Sequence, residues 1–509
     1  MGLGATGQVL GDVDIIEDAE PIFGFTAVRS ALSNHVQSQM SNGAGAIGAT
    51  LATGDRGAIA EEDAEAMRRS GLAHLLSISG LHVTAVVGIT YLAVLKLLAL
   101  FPSLALRFRL PIVAAGFSAG AALSYTFLTG AQVPTIRACV AALLILVALM
   151  FGRSAITLRM VAAGALFVLF LWPESLLGPS FQLSFAAVTA IIALHEHPKV
   201  QALIKRRDES GAKRFGRFVF TLFLTGLVVE IALMPIALFH FHKAGIYGAV
   251  ANVVAIPLTT FVIMPLEALA LLLDSVGLGG PVWWFCEQML LTLIGTAHFV
   301  SSSPGAVIML PTISTTAFAL TIFGGLWLCL WKENWRYLGI VPALLGAGWI
   351  VTTPTPDLYI TGDGRHVGIR SESGEFSLLR TRSGDFIRGI ILENAGVDGE
   401  AIPIDQWHGA DCNRDTCVIG IETKNRTWTI LATRSKHYVP SIALAAACRR
   451  VDIVISERRL PTTCKPRWIK ADRSTLFETG GMTIDLENQN ISTVREWSGD
   501  HAWTRNNMR

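Results

Sequence analysis

Two histidines and two serines stand at the threshold of a long apolar segment, in the sequence HLLSISGLH that begins at His74. If this sequence is helical at about 100° per residue, His74, Ser77 and His82 fall within one arc. Ser79 lies near the edge of that arc, and Gly80 leaves room for another backbone or a substrate. Polar groups on a membrane helix usually face the bundle interior or a water-filled path. These five residues are therefore predicted to line a polar cavity; interhelical hydrogen bonds of the serines and histidines are the alternative.

Further polar residues are spread through the apolar region and extend this predicted lining. Arg137 lies near the start of an apolar segment, where arginine needs a partner or water unless it extends to the membrane surface. Glu230 and Glu267 lie deep within two later segments, and either could pair with Arg137 or with a histidine. The complete predicted lining, which serves transport and includes no catalytic residue, is His74, Ser77, Ser79, Gly80, His82, Arg137, Gln182, Ser184, Glu230 and Asn252.

The composition of the chain indicates a membrane protein with several spans. The 509 residues are 51% hydrophobic and only 16% charged, whereas soluble domains carry about 25% charged residues. The mean hydropathy is +0.49, and the net charge of +2 indicates no particular partner. The acidic residues 1–20 lack the pattern of a secretory signal, so the first membrane helix is expected to direct insertion unless the true N-terminus lies upstream.

Three regions differ in composition. Residues 1–70 form a polar N-terminal segment, in which GFTAVRSALSNHVQSQM has the spacing of an amphipathic helix, either at a membrane surface or in an ordinary packed position. Residues 71–352 are apolar, and residues 353–509 are charged, with short β-rich runs after the linker TTPTPD. The predicted fold is therefore a polytopic α-helical membrane domain followed by a soluble α/β domain.

About ten membrane-spanning helices are predicted in the apolar region. Proline interrupts two of them at Pro235 and Pro257, and such breaks are tolerated where the freed backbone groups face protein or a wet cavity. The predicted spans are 73–100, 111–129, 135–151, 158–172, 180–196, 217–240, 246–270, 282–300, 312–331 and 335–352.

Lysine and arginine are concentrated in alternate loops of this region. The loop at 197–217 carries seven of them, whereas the loops after the second, fourth and eighth spans carry none. Loops rich in these residues stay in the cytoplasm. With ten spans, the pattern therefore predicts that the N-terminal segment and the C-terminal domain both lie outside the cytoplasm.

The cysteines fall into two environments. Three lie in apolar segments, where a buried thiol is expected, and four lie in the polar C-terminal region. The four fit two disulfides in an oxidising compartment, and four free thiols in a cytosolic domain are the alternative. The candidate disulfide cysteines are Cys412, Cys417, Cys448 and Cys464.

Four blocks of this sequence resemble the ComEC-type competence proteins, the inner-membrane channels of natural transformation. LATGDRGAI with AEAMRRSGLAHLLSISGLHV resembles the first signature of that family, and YTFLTGAQVPTIRA, PSFQLSFAAV and MPIALFHFHKAGIYGAVANVVAIPL follow in the same order. The resemblance implies transport of single-stranded DNA from the periplasm into the cytoplasm. The residues that match the family's motifs are His74, Ser77, Ser79, Gly80, His82, Gly130, Pro134, Arg137, Gln182, Ser184, Asn252 and Pro257.

The resemblance also implies partners. A periplasmic DNA receptor and a cytoplasmic helicase-like motor are expected, together with single-stranded DNA, membrane lipid and a second copy of the chain. The sequence contains no Gly-x-x-x-x-Gly-Lys-Ser/Thr motif, so energy is expected from a partner or a proton gradient. No metal and no cofactor is expected.

Two features depart from the family pattern. Only about 70 residues precede the apolar region, too few for the OB-like domain that family members often carry, so the start is interpreted as truncated. DLYITGDGRHVGIRS resembles the opening strands of a metallo-β-lactamase-like domain, but the motif His-x-His-x-Asp-His is absent. The C-terminal domain is therefore predicted to be a degenerate relative without nuclease activity, and the chain is not expected to be an enzyme.

Two other functions are left open by the residues. A secondary transporter for small solutes predicts an inverted repeat, and no clear repeat is seen in the sequence. An intramembrane metal-dependent hydrolase would combine Glu230 with histidines, and its three ligands would have to converge on one ion. The candidate histidines are His74, His82, His240 and His242.

Overall fold

The chain divides into two units of different architecture. The first unit contains Met1–Val228 and Gly245–Ala306, and the second contains Val229–Ala244 and Val307–Arg509. The structure is a computed structural model that describes residues 24–78, 80–151, 157–205, 207–371, 374–380, 384–424, 426–435, 437 and 439–499.

Helices make up most of the described chain before residue 353. They are α1 Phe25–Gln39, α2 Asn42–Thr53, α3 Glu61–Arg69, α4 Gly80–Ala99, α5 Pro102–Arg107, α6 Leu110–Leu128, α7 Val133–Met150, α8 Leu158–Leu171, α9 Pro179–Glu196, α10 Pro198–Ile204, α11 Gly211–Phe241, α12 Gly248–Leu258, α13 Met264–Asp274, α14 Gly280–Ser301, α15 Thr315–Leu330 and α16 Ile340–Thr352.

Five segments of the described chain are long and apolar enough to cross a membrane. They are α4, α6, α7, α11 and the segment Gly248–Asp274, while α8 and α15 are apolar but shorter. The helical membrane character predicted from composition is confirmed, and the number of ten crossings stays a prediction. The start predicted for the first span at residue 73 is wrong, since α4 begins at Gly80.

The two prolines inside helices have different consequences. Pro235 lies within the continuous helix α11. Pro257 lies in α12 and is followed by a π-helix at Thr259–Ile263. A prolyl ring lacks an N–H and crowds the carbonyl four residues earlier, and a π-turn is one way to absorb such a break. The Thr259 hydroxyl donates to the Ala255 carbonyl at 2.7 Å.

The helices before residue 70 share one hydrophobic core with α14. Val36 of α1, Ile47 of α2 and Met67 of α3 are buried in the same cluster as Trp283 and Leu290. Small residues in α2, whose sequence is NGAGAIGATLAT, let neighbouring helices approach closely. The predicted boundary between a polar N-terminal segment and the membrane domain therefore does not coincide with a boundary in the packing.

Two histidine–aspartate contacts add polar links within this core. His35 Nε2 of α1 lies 2.7 Å from Asp274 Oδ2, which also accepts a hydrogen bond from Trp283 Nε1 at 2.8 Å. His298 Nε2 of α14 lies 2.8 Å from Asp63 Oδ1 of α3. The amphipathic helix predicted near the N-terminus is thus packed on other helices.

The C-terminal region is an α/β structure with two sheets. The strands of the chain are β1 Lys243–Gly245, β2 Val307–Met309, β3 Leu358–Thr361, β4 Val367–Arg370, β5 Phe376–Leu378, β6 Ile402–Pro403, β7 Ala410–Cys412, β8 Thr416–Glu422, β9 Thr427–Thr433, β10 Ile453–Ile455, β11 Ile469–Ala471, β12 Gly481–Asp485 and β13 Asn490–Thr493. The remaining helices are α17 Asp385–Ala395, α18 Ser441–Cys448, α19 Arg473–Thr479 and α20 Val494–Ser498.

These two sheets pack face to face and carry a helix on each outer face. One sheet has the strand order β13-β12-β3-β4-β5-β6 and the other β11-β10-β9-β8-β7. Ile369, on the inner face of the first sheet, and Ile430, on the inner face of the second, belong to one buried cluster. Leu392 of α17 packs on the outer face of the first sheet, and Leu444 of α18 on that of the second. Because side chains alternate along a strand, both faces of each sheet are covered, in four layers.

The four cysteines of the C-terminal region lie in two pairs. Cys412 at the end of β7 is joined to Cys417 in β8, its cross-strand neighbour. Cys448 at the end of α18 is joined to Cys464. The other cysteines of the chain are free, and two of these, Cys139 and Cys286, are buried.

Asp472 caps α19, and its replacement tests the C-terminal packing. Its carboxylate accepts from the N–H groups of Ser474, Thr475 and Leu460. Burial acts to raise the pKa of Asp472, but these hydrogen bonds and the Ser474 hydroxyl outweigh it and lower the pKa to about 2. Asp472→Ala is expected to reduce the free energy of unfolding by about 1–2 kcal/mol, measured by thermal unfolding of the full chain at pH 7.

The same aspartate predicts a pH dependence. Because its folded pKa lies below the unfolded value, its stabilisation is present above about pH 4 and is lost as the pH falls toward 2. Asp472→Asn, which keeps an acceptor oxygen, should lose less stability at pH 7 than Asp472→Ala. Equal stability of the alanine variant and the natural chain would contradict the capping role.

Candidate functional site

The residues predicted to form one helical arc do not share a helix. His74 lies in a 3₁₀ turn at Ala73–Leu75, Ser77 follows in a bend, and α4 begins at Gly80. Ser79 lies outside the described residues. The Ser77 hydroxyl donates to the His74 carbonyl at 3.0 Å, and His74 Nδ1 lies 3.2 Å from the Gly71 carbonyl. Such local side-chain contacts with the backbone compete with helix formation, so the predicted arc is wrong before Gly80.

His82, in the first turn of α4, is completely buried beside α7. Its side chain is 0% exposed. Its neighbour Val83 and the preceding Ile78 pack in one cluster with Cys139 of α7. At Gly80, an added Cβ would lie 4.0 Å from the Ala138 Cβ, which is ordinary contact. No close backbone approach therefore requires glycine at that position.

The first and second sequence blocks meet at Gly54, directly after α2. Gly54 has a φ of +73°, and an added Cβ would lie 3.0 Å from Ile78 Cδ1 and 3.2 Å from the Thr129 carbonyl oxygen. The Gln132 amide donates to the Gly54 carbonyl at 3.2 Å. The second block, through TGAQVP, is thus adjacent in space to two parts of the first block, LATGDRGAI and HLLSISGLH.

The fourth block meets the first at a contact between glycines. Gly71 has a φ of +76°, and an added Cβ would lie 2.8 Å from the Gly248 Cα at the start of α12. An added Cβ at Gly245 would lie 3.2 Å from the Gly71 nitrogen. We call Gly54, Gly71 and Gly248 the glycine junction. The positive φ of Gly54 and Gly71 and the close contacts at these two positions disfavour a side chain there.

A polar cluster beside this junction was not predicted from the sequence. The Arg29 Nε of α1 donates to the Thr53 carbonyl at 3.1 Å, and the Ser33 hydroxyl donates to Asp55 Oδ2 at 2.9 Å. Hydrogen bonds from the Gly57 N–H and the Ser33 hydroxyl lower the pKa of Asp55. The position of Asp55 in the turn GDRG could have predicted a capping role from the sequence. Nothing in the sequence distinguishes Arg29 from a surface residue.

Arg137 connects α7 to α9. It is 8% exposed, and its Nη2 donates to the Ser180 hydroxyl at 2.6 Å. Gln182, two residues further in α9, donates to the Leu176 carbonyl at 3.0 Å, and Ser184 is exposed. Arg137 is therefore held inside the helical region by a neighbouring helix.

The predicted acidic and amide residues occupy separate places. Asn252 is half-buried in α12, one turn beyond Gly248. Glu230 lies in the part of α11 that belongs to the second unit. Glu267 of α13 is 4% exposed, and among the described residues it forms no ion pair with Arg137.

Several buried polar atoms of the first unit neither donate nor accept a hydrogen bond within the described part of the chain. These atoms lie on helices that carry the sequence blocks or pack against them. Buried polar atoms are normally paired with protein or with water, so water or a ligand is one way to satisfy them. They are Thr135 Oγ1, Arg137 Nε, Asn252 Oδ1, Thr260 Oγ1 and Glu267 Oε1.

A pocket of about 560 Å³ lies at the other end of α4, α6 and α7. Tyr91, Phe108, Arg109 and Met150 are among its lining residues, and none of the residues predicted to line a path contributes to it. Arg109 belongs to one of the loops predicted to face the cytoplasm. Elsewhere in the described chain, no three His, Cys, Asp or Glu side chains form a group that could hold a metal ion.

Residues 51–335 match the family model described as Competence protein, which is more than half of the chain. The chain belongs to the competence protein family. The matched range contains all four blocks from which the resemblance was inferred, and that prediction is confirmed. The match also includes the glycine junction, Arg137 and His82.

Curated relatives with competence-related names match parts of this family member. Recombination protein 2 of Haemophilus influenzae is 28% identical over 216 residues, which are 42% of this chain and 27% of that protein. Competence protein ComA of Neisseria gonorrhoeae is 29% identical over 273 residues, 53% of this chain and 37% of that protein. ComE operon protein 3 of Bacillus subtilis is 26% identical over 227 residues, which are 44% of this chain and 26% of that protein.

The competence family member thus spans well under half of the length of the curated relatives that it matches. No solved structure is significantly similar to it.

Proposed function

We propose that this chain forms part of a path that carries single-stranded DNA across the cytoplasmic membrane during natural transformation. The observation that carries the proposal is the set of buried polar atoms that have no hydrogen-bond partner among the described residues, on helices that carry the family's sequence blocks or pack against them. A strand of phosphates cannot enter hydrocarbon bare. A hydrated interior with hydroxyl, amide and guanidinium groups would shelter it without holding it tightly at any one place.

The proposed path uses His82 and Arg137 as its principal lining residues. Family membership supports this choice, because both residues lie in the matched range. The remaining predicted lining, from His74 and Ser77 to Asn252, is proposed to contribute only where water reaches it. The partners that fit this function are a periplasmic DNA receptor, a helicase-like motor at the loop 197–217 and a second copy of the chain.

The proposed topology has about ten crossings in the cytoplasmic membrane, with the C-terminal domain in the periplasm. The distribution of Lys and Arg supports the orientation, and the pairing of four C-terminal cysteines fits an oxidising compartment. The four-layer arrangement of helices and sheets fits a metallo-β-lactamase-like fold. We propose that this domain is a degenerate form without nuclease activity.

The test is deletion of the gene in a naturally transformable host. Labelled DNA should still reach the periplasm but should no longer reach the cytoplasm, and the gene supplied in trans should restore entry. Transformation at the level of the parent strain, with deletion verified, would rule out the proposed function.

A further inference from the structure

Several strand ends of the C-terminal α/β region bring arginines together. The turn after β3 carries Arg365, β5 is followed by Arg380, and β10 is followed by Arg458. These ends are adjacent, because the Thr433 hydroxyl at the end of β9 donates to the Ser456 hydroxyl at 3.0 Å. An added Cβ at Gly364 would lie 2.8 Å from the Ser456 carbonyl oxygen. We call Arg365, Arg380 and Arg458, with His366, the arginine cluster.

One buried carboxylate organises this cluster. The Glu457 side chain is only 6% exposed and accepts from Arg380 Nη2 at 3.0 Å. Arg365 Nε lies 3.4 Å from the same carboxylate. Arg458 donates instead to the His437 carbonyl, which brings the segment after β9 to the same end. Glu457 thus holds two guanidinium groups side by side, although it neutralises only one of them.

Positive charge exceeds negative charge at this end of the region. The described residues directly after β3, β5, β10 and β11 carry five arginines against three carboxylates, and one of the three, Asp472, lies 3.3 Å from the Lys470 Nζ and is already paired. Asp363 is the second carboxylate, and it is bound by the Thr361 hydroxyl and the Arg365 N–H. The arginines are Arg365, Arg380, Arg458, Arg459 and Arg473.

The His366 ring contributes a buried nitrogen, Nδ1, that has no hydrogen-bond partner among the described residues. Arg365, next to it, has a side chain that is 51% exposed and accessible to a ligand. A guanidinium fork fits two oxygens of a phosphate, and an imidazole N–H can add a third hydrogen bond. This chemistry selects a phosphate oxyanion.

An exposed aromatic residue of α19, next in sequence to a residue that packs against Gly364, favours a nucleotide over a free phosphate. An added Cβ at Gly364 would lie 2.8 Å from Leu476 Cδ1 of α19. The next residue, Phe477, is 54% exposed. Single-stranded nucleic acids are bound by basic surfaces that follow the backbone and by aromatic rings on which bases stack.

We propose that the arginine cluster binds the phosphate backbone of single-stranded DNA, with Arg365 and Arg458 contacting phosphate oxygens and Phe477 stacking on a base. This inference deepens the proposed function and rests on it for the choice of ligand. It assigns the C-terminal region a binding role that needs no metal ligands.

The test measures binding of fluorescent oligo(dT)20 to the full chain in nanodiscs of zwitterionic lipid, over a range of salt concentrations. The double variant Arg365→Ala with Arg458→Ala should bind about tenfold more weakly or worse. The slope of log affinity against log salt should become shallower by about 1.4, or about 0.7 for each lost phosphate contact. Arg450→Ala, an exposed arginine after α18, is the matched control and should bind like the natural chain.

A second variant separates binding from folding. Glu457→Gln removes the carboxylate that competes with phosphate for Arg365 and Arg380 but keeps hydrogen-bonding groups. It should bind oligo(dT)20 more tightly, with a slope steeper by about 0.7. A residue that served only stability would not produce tighter binding. Unchanged affinity in both the double variant and Glu457→Gln would overturn the proposal.

Other anions identify the kind of ligand. Polyglutamate should compete poorly with oligo(dT)20, and vesicles containing phosphatidylglycerol should bind the double variant and the natural chain equally. Loss of vesicle binding without loss of DNA binding would assign the cluster to lipid headgroups and overturn the inference. The two proposals can fail separately. If the double variant binds DNA more weakly but deletion of the gene leaves transformation intact, the proposed function is refuted and the DNA-binding site is retained.

Discussion

Gly71→Ala is expected to destabilise the helical unit by about 2–5 kcal/mol and to reduce transformation through loss of folded protein. The left-handed backbone conformation costs an L-residue about 1–2 kcal/mol. The new methyl group would also lie 2.8 Å from the Gly248 Cα, and overpacking of this kind costs about 1–3 kcal/mol. The neighbour is backbone, so it cannot turn away as a flexible side chain could.

The matched control for this substitution is Gly80→Ala. Gly80 begins α4, and an added Cβ there would make only an ordinary contact with Ala138. Alanine in a helix is favoured over glycine by about 1 kcal/mol, so Gly80→Ala should be neutral or stabilising. Thermal unfolding of the detergent-solubilised full chain, followed by size-exclusion chromatography, measures both. Equal stability of Gly71→Ala and Gly80→Ala would show that the glycine junction is not closely packed.

Arg137→Ala is expected to lower transformation at least about tenfold while the protein level in the membrane stays near normal. Arg137 is 8% exposed and bound to Ser180, and its Nε has no partner among the described residues. A hydrogen bond to a charged group contributes about 1.5–3 kcal/mol, which corresponds to a tenfold change or more. A phosphate that passes this arginine would lose that stabilisation.

Two further variants distinguish this role from simple packing. Arg137→Lys keeps the charge but loses the planar fork, and should fall between the natural chain and Arg137→Ala. Arg159→Ala removes an exposed arginine of α8 and should transform normally. Transformation frequency is compared at equal protein level by immunoblot. Normal transformation by Arg137→Ala would remove Arg137 from the proposed path.

The prediction from helical periodicity is wrong where local hydrogen bonds determine the backbone conformation. The arc of His74, Ser77 and His82 requires that HLLSISGLH form one helix. The hydroxyl of Ser77 and the ring of His74 instead contact nearby carbonyls, and the helix starts at Gly80. Hydropathy shows that a segment is apolar over its length, but it does not fix the residue at which a helix begins.

The amino-acid sequence by itself determined the membrane character, the α/β nature of the C-terminal region and the family, because composition and contiguous blocks carry that information. The tertiary structure decided which blocks touch: Gly71 meets Gly248, and Gly54 meets Thr129, although the members of each pair are distant along the chain. It also decided the partner of Arg137, and it assembled the arginine cluster from three strand ends. The physical reason is that close contacts between distant segments depend on packing in three dimensions, which the spacing of residues along one segment does not encode.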